Sequence, residues 1–228
     1  MISRFDQEDW GGAGRVFVDP RLPDGTHLPL LHHLDQAERE VFVQLNFEAQ
    51  RPDVFAYFDA ELLVAAACTN SDVVAYYDGA MHVVMTHADV QTSVVHEYTH
   101  HVLMSHGMLG PTWVQEGIAM HVAREAWWFE PTWLGRIRED PMPLEVMEQA
   151  IPYTLRSEDA ILFYVQAASM VECLVRGERA RLRGLMAVMG AAGGAAQGEP
   201  PDDPSQLLEP AAWQGCIDGL MRRAGAPR

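Results

Sequence analysis

The sequence predicts an α+β fold with a small mixed sheet and helices in its N-terminal part and a helical C-terminal half. The short runs that read as strands all fall within the first 85 positions. Beyond them, apolar residues recur at spacings of three and four over long stretches. A chain of 228 residues that is 48% hydrophobic can bury a sizeable core.

The elements follow in order. RVFVD, 15 to 19, reads as a short strand. Residues 34 to 50 have helical spacing through Leu34, Ala37, Val41, Leu45 and Glu48, and Pro52 blocks continuation. VFAYF, 54 to 58, reads as a strand and AELLVAAAC, 60 to 68, as a short helix. VVAYY and AMHVVM flank Asp78-Gly79, a pair that favours a type I′ hairpin turn. A helix follows over about 87 to 106, with Thr86 and Asp89 resembling a capping box and Gly107 as its stop. The next opens at Pro111-Thr112 and reads helical to about 128. A third covers 157 to 177 with Ser157 as cap, GERARLRGLMAVMG follows, and a last one covers 205 to 223. Residues 188 to 205, rich in Gly, Ala and Pro, read as a loop or linker.

Charge and cysteine content narrow the function. With 16 basic against 32 acidic residues and a net charge of -16, the chain is not expected to bind nucleic acid, which needs clustered Lys and Arg. Cys68, Cys173 and Cys216 lie far apart without a CxxC pair, so neither a cysteine zinc knuckle nor a disulfide framework is expected. The N-terminus is acidic and lacks an apolar signal core, and no apolar run approaches a membrane span. The expectation is a cytoplasmic protein with no membrane partner.

The chemistry centres on His96-Glu97-Tyr98-Thr99-His100, an HExxH pattern on the helix over 87 to 106. Residues four apart share a helix face, so His96 and His100 can offer two imidazoles to one ion. Glu97, turned about 100° around the axis, can approach a water without ligating the metal. Catalytic zinc takes three protein ligands, so a third is required downstream. Glu116 is the candidate; it also reads as a solvated charge favoured by the helix dipole.

Around it, Trp113 to Ala119 has the form WxxEGxA. With HExxH, this resembles the gluzincins, zinc peptidases with a His, His, Glu site, and in particular small peptidase-MA-like domains and the catalytic domain of zinc aminopeptidases. The resemblance implies a thermolysin-like zincin fold, one catalytic Zn2+, and Glu116 as third ligand. Gly117 would let two helices approach closely. Phe163 to Ala168, FYVQAA, resembles the family's Tyr-x-(Lys/Gln)-small stretch, which gives Tyr164 the oxyanion-stabilising role, with Tyr153 as the weaker substitute.

The resemblance also implies an edge strand pairing with substrate, for which residues 80 to 85 are the candidate. Gly79, Ala80, Met81 and His82 look like the start of the aminopeptidases' Gly-Ala-Met-Glu-Asn segment. His82 stands where that segment has its amine-binding Glu, which speaks against exopeptidase activity.

Residues 1–187 are thus read as one catalytic domain, with an α/β part to about 106 and a helical part over 107–187. Residues 188–228 form a Gly/Ala/Pro-rich segment and a short helix. The expected activity is zinc-dependent cleavage of internal peptide bonds in a peptide or protein, with the cleft between the sheet layer and the helical half. The rival readings are a metal-bound binding module and a hydrolase of non-peptide amides. Asp89 and Glu125 are candidates to orient ligand imidazoles, His121 to act behind the ligands, and the tryptophans at 127, 128 and 133 to form a core-edge cluster or, alternatively, to line a substrate or partner surface.

Overall fold

The computed structural model describes residues 5–11, 14–67, 73–176, 179–193 and 210–225. The chain forms two compact units, Met1–Ser105 and His106–Arg228. The fold is mixed α and β, with a small mixed sheet and a predominance of helix.

Unit 1 holds strands β1 (Asp6–Gly11), β2 (Gly14–Val18), β3 (Val54–Tyr57), β4 (Ala75–Tyr77) and β5 (Met81–Val84). Its helices are α1 (His27–Leu45), α2 (Ala60–Ala67) and α3 (Val90–Ser105). The sheet order is β1-β2-β3-β5-β4. The β2-β3 and β3-β5 pairs are parallel, and the two outer pairs are antiparallel.

Alternation along the strands makes two different faces. Val16, Val54, Met81 and Val83 are fully buried, and α3 packs on β4 and β5. On the other face Phe17, Phe55, His82 and Tyr76 occupy paired positions in four successive strands and form a row of rings. Phe17 and Phe55 stack at 4.6 Å and Phe55 and His82 at 5.2 Å.

α1 packs on α3 through its 30, 34, 37, 41 and 45 stripe, all of it buried. It starts earlier than its sequence signals suggest, and it ends before Glu48, at Asn46, whose left-handed backbone (φ 61°) caps the helix. The strand β1 has no sequence signal, being acidic and poor in β-branched residues; its pairing with β2 supplies what propensity does not.

The hairpin differs from expectation. Type I′ needs positive φ at both central residues, and only Gly79 has it (φ 113°). Tyr77 pairs with Met81, so the loop is Asp78-Gly79-Ala80, and Asp78 accepts a hydrogen bond from the Ala80 N–H. The edge-strand assignment is also corrected. β5 lies between β3 and β4 with both its sides hydrogen-bonded, so β4, not residues 80 to 85, ends that side of the sheet.

Unit 2 holds α4 (Thr112–Ala123), α5 (Pro131–Glu139), α6 (Leu144–Gln149), a 3-10 turn at Pro152–Thr154, α7 (Ser157–Val175), α8 (Arg179–Gly193) and α9 (Pro210–Arg223). α7 is its central element, packed by α4, α5, α8, α9 and the 3-10 turn. Ser157 is the first helical residue, not the cap, which is Arg156. Residues 188 to 193 close α8, and the rest of the expected loop, like Cys68, lies outside the described residues. Among the described residues no single helix is long and apolar enough to cross a membrane.

One expectation about cysteine is overturned. Cys173 on α7 and Cys216 on α9 form a disulfide, with Cα atoms 6.0 Å apart. The two are 43 positions apart, so no local spacing advertises the bond; helix packing brings them together.

A candidate metal centre

Asp89, not Thr86, caps α3: its carboxylate accepts the Thr92 N–H, whereas the Thr86 hydroxyl donates to the Phe58 carbonyl. The helix is buried on most sides, with Val94, Val95, Tyr98, Thr99, Val102 and Leu103 inside. The stripe Ser93, His96, His100, Met104 is the partly open one.

The buried side of α3 is clamped. His101 Nε2–H donates to the Gln50 carbonyl, and the Tyr77 hydroxyl donates to Nδ1 at 3.0 Å. Burial keeps this imidazole below its usual range, in keeping with one ring nitrogen donating and the other accepting. Tyr98 stands edge-on to Trp10, and its hydroxyl is pushed up to about 12, chiefly by burial. The helix therefore has little freedom to rotate, and the direction of His96 and His100 is set.

His96 and His100 bring their Nε2 atoms to 3.1 Å, with the rings 62° apart. Two zinc–nitrogen bonds of roughly 2.0–2.1 Å in a tetrahedron put the nitrogens about 3.3 Å apart. His96, His100 and Glu116 each offer one ligand atom, all half-buried, and these atoms lie within 4.8 Å of one another. Two imidazoles and a carboxylate suit a first-row divalent ion. Glu97, adjacent to His96, is 8% exposed.

Glu116 lies in the second turn of α4. The residue after it explains the placement of α4. A Cβ on Gly117 would stand 2.5 Å from the Ala167 carbonyl oxygen and 2.5 Å from a Val171 methyl. The glycine therefore admits α7. Gly117 meets 167 and 171, and His121 Nδ1 meets Glu172 Oε2 at 3.2 Å, so partner numbers rise together and the two helices run in the same general direction.

The EGxA and YxQA stretches are thus locked to each other, glycine against alanine. Replacing Gly117 by Ala is expected to destabilise the protein by about 1–3 kcal/mol, because a backbone carbonyl cannot yield as a side chain would. A urea midpoint equal to or above wild type would rule this out.

Tyr164 lies one turn before Ala167, half-buried. Its ring stands edge-on to Trp127 at 6.5 Å and to Phe163 at 5.7 Å. Gln166, which the sequence reading left without a role, holds the Met142 backbone with both ends of its amide, at 2.8 and 2.9 Å. Tyr153 belongs to the 3-10 turn rather than to α7.

The tryptophan cluster divides. Trp128 is buried, Trp133 lies beneath the Arg136 guanidinium, and Trp127 is exposed against Tyr164. Glu125 accepts the Trp127 indole N–H at 2.6 Å. α4 stops short of these residues at Ala123, because Arg124 takes a left-handed conformation and the Glu125 N–H bonds back to Met120.

The four residues compared with the aminopeptidase segment are placed as follows. Gly79 and Ala80 complete the hairpin loop, and Met81 is fully buried between β3 and β4. His82 accepts from the Tyr57 hydroxyl at Nδ1 and donates from Nε2 to Asp78. Burial pushes His82 below its usual range, against the opposing pull of Asp78, and pushes the Tyr57 hydroxyl up to about 12.

A lowered histidine pKa in the folded state means that the unfolded chain binds the proton more readily. This contribution to stability is complete above about pH 6.5 and declines as the pH falls below it. His82→Gln is expected to flatten the dependence of the urea midpoint on pH between about 7 and 5; an unchanged slope would contradict it.

A scan against protein-family models finds no match and a search of curated proteins finds no relative, so the case for a metal centre rests on the donor set and its geometry.

Proposed function

We propose that this chain is a zinc-dependent hydrolase of peptide bonds, with a thermolysin-like zincin fold and a preference for internal over terminal bonds. The observation that carries the reading is the convergence of His96 and His100 Nε2 with a Glu116 oxygen, beside a buried Glu97. His96, His100 and Glu116 would hold the ion. Zinc, when bound, supplies a Lewis acid that makes water acidic near neutral pH and polarises a carbonyl.

The rest is the work of the chain's own residues. Glu97 accepts a proton from the attacking water and returns it to the leaving amine nitrogen. The Tyr164 hydroxyl donates a hydrogen bond to the developing oxyanion. The Cys173–Cys216 bond supports placing this activity in an oxidising compartment, where disulfides persist, rather than in the cytoplasm.

Metal content of purified protein tests the reading. Wild type is expected to hold about one zinc per chain, Glu116→Ala to lose most of it, and Glu97→Ala to keep it. No uptake by wild type supplied with zinc would end the proposal. Equal retention in Glu116→Ala would move the third ligand elsewhere. Zinc binding without cleavage of a peptide library would leave a metal-bound module or a hydrolase of another amide.

A further inference from the structure

Trp127 is the largest exposed aromatic side chain beside the residues given chemical roles, and its setting differs from that of its neighbours. Trp113 is fully buried and Trp128 is 8% exposed, whereas Trp127 is 44% exposed. Its indole is nonetheless held. The N–H is taken by Glu125, and one side meets the Tyr164 ring at 71°. With its one polar group satisfied, the ring offers an apolar face of fixed orientation.

The turn that places it is specific. Arg124, left-handed at φ 55°, ends α4 and turns the chain, so that Trp127 reaches α7 at Tyr164. Tyr164 is one turn before Ala167, and Ala167 touches Gly117, the neighbour of Glu116. The indole therefore stands at the end of the α4–α7 pair that carries Glu116 and Tyr164, and not at the far end where His121 meets Glu172.

We infer that Trp127 is a specificity-determining residue, forming the wall of a subsite for a large apolar or aromatic side chain next to the cleaved bond of a peptide. This rests on the hydrolase reading for the identity of the site, and it adds the class of substrate. A fixed indole face favours Phe or Leu over Ala by removing apolar surface from water, without demanding a hydrogen bond. Glu125 is a positioning residue that holds the ring.

The test measures binding separately from turnover. Zinc-loaded Glu97→Gln protein, in which a substrate survives, is titrated with three blocked hexapeptides: all-Ala, and two with a single Phe on either side of the central bond. One Phe peptide is expected to bind about tenfold more tightly than the all-Ala peptide. Adding Trp127→Ala should abolish that preference, and adding Trp127→Phe should retain most of it, with zinc content and urea midpoint unchanged in both.

A preference that persists in Trp127→Ala, or no preference in the first place, overturns the inference. If the preference is present and Trp127-dependent but the protein with Glu97 intact cleaves none of the peptides, the subsite stands and the hydrolase reading falls. If that protein cleaves Phe and all-Ala peptides with equal kcat/KM, the subsite falls alone.

Discussion

Glu97→Gln is expected to lower kcat/KM for peptide cleavage by about a thousandfold while zinc stays bound. The substitution keeps the shape of a side chain that is 8% exposed and replaces a proton acceptor with an amide that cannot take up the proton. Because Glu97 is not a ligand in this reading, the His96, His100 and Glu116 set is left intact. The effect should fall on kcat more than on KM, since the proton moves only as the reaction proceeds. A variant that loses zinc along with activity would make Glu97 part of the metal shell. One that keeps both would remove it from the chemistry.

The second large effect concerns the Cys173–Cys216 bond. It closes a loop across 43 positions, and loop-closure entropy assigns such a bond about 4 kcal/mol, less whatever strain or residual structure subtracts. α9 is also held to unit 2 by Arg138–Asp218 at 2.6 Å and by Arg223 near Glu172, contacts at half-exposed side chains that contribute little by comparison. Replacing both cysteines by Ala, or reducing the protein, should cost about 2–4 kcal/mol by urea unfolding. Unfolded, unreduced protein should titrate one thiol of its three cysteines. Three thiols, or identical unfolding with and without reductant, would refute this.

Much of the fold was legible because period and composition act locally. The buried positions 34, 37, 41 and 45 and the strand VFAY are written in side-chain pattern and are where that pattern puts them, whereas Leu30 extends the stripe at its start and Glu48 falls beyond the helix. Two helix ends were less legible, for a common reason. Asn46 and Arg124 terminate α1 and α4 in left-handed conformations, where glycine is the usual signal. Continuing α4 past Arg124 hid the turn that sets Trp127 against Tyr164.

That His96 and His100 share one face of α3 was legible because a spacing of four is a property of one helix. The place of β5 inside the sheet, the row of rings ending at Tyr76, and the Cys173–Cys216 bond were not legible. Each depends on which distant segments meet. The Glu125–Trp127 bond spans two positions, yet its use depends on Tyr164 on another helix.

The contact between Gly117 and Ala167 has a consequence for how such a sequence can change over time. It works as a gauge between two otherwise separate stretches: Glu116 is one residue from it on α4, and Tyr164 three residues from it on α7. A single residue inserted between Tyr164 and Ala167 would turn the phenol about 100° around its helix and shift it about 1.5 Å along the axis, with His96, His100 and Glu116 untouched. Length in that short interval is therefore under tight constraint, in addition to the burial of Val165 and the hold of Gln166 on Met142. Sister sequences should reject insertions there, and a larger residue at 117 should appear only beside a compensating retreat of the facing helix.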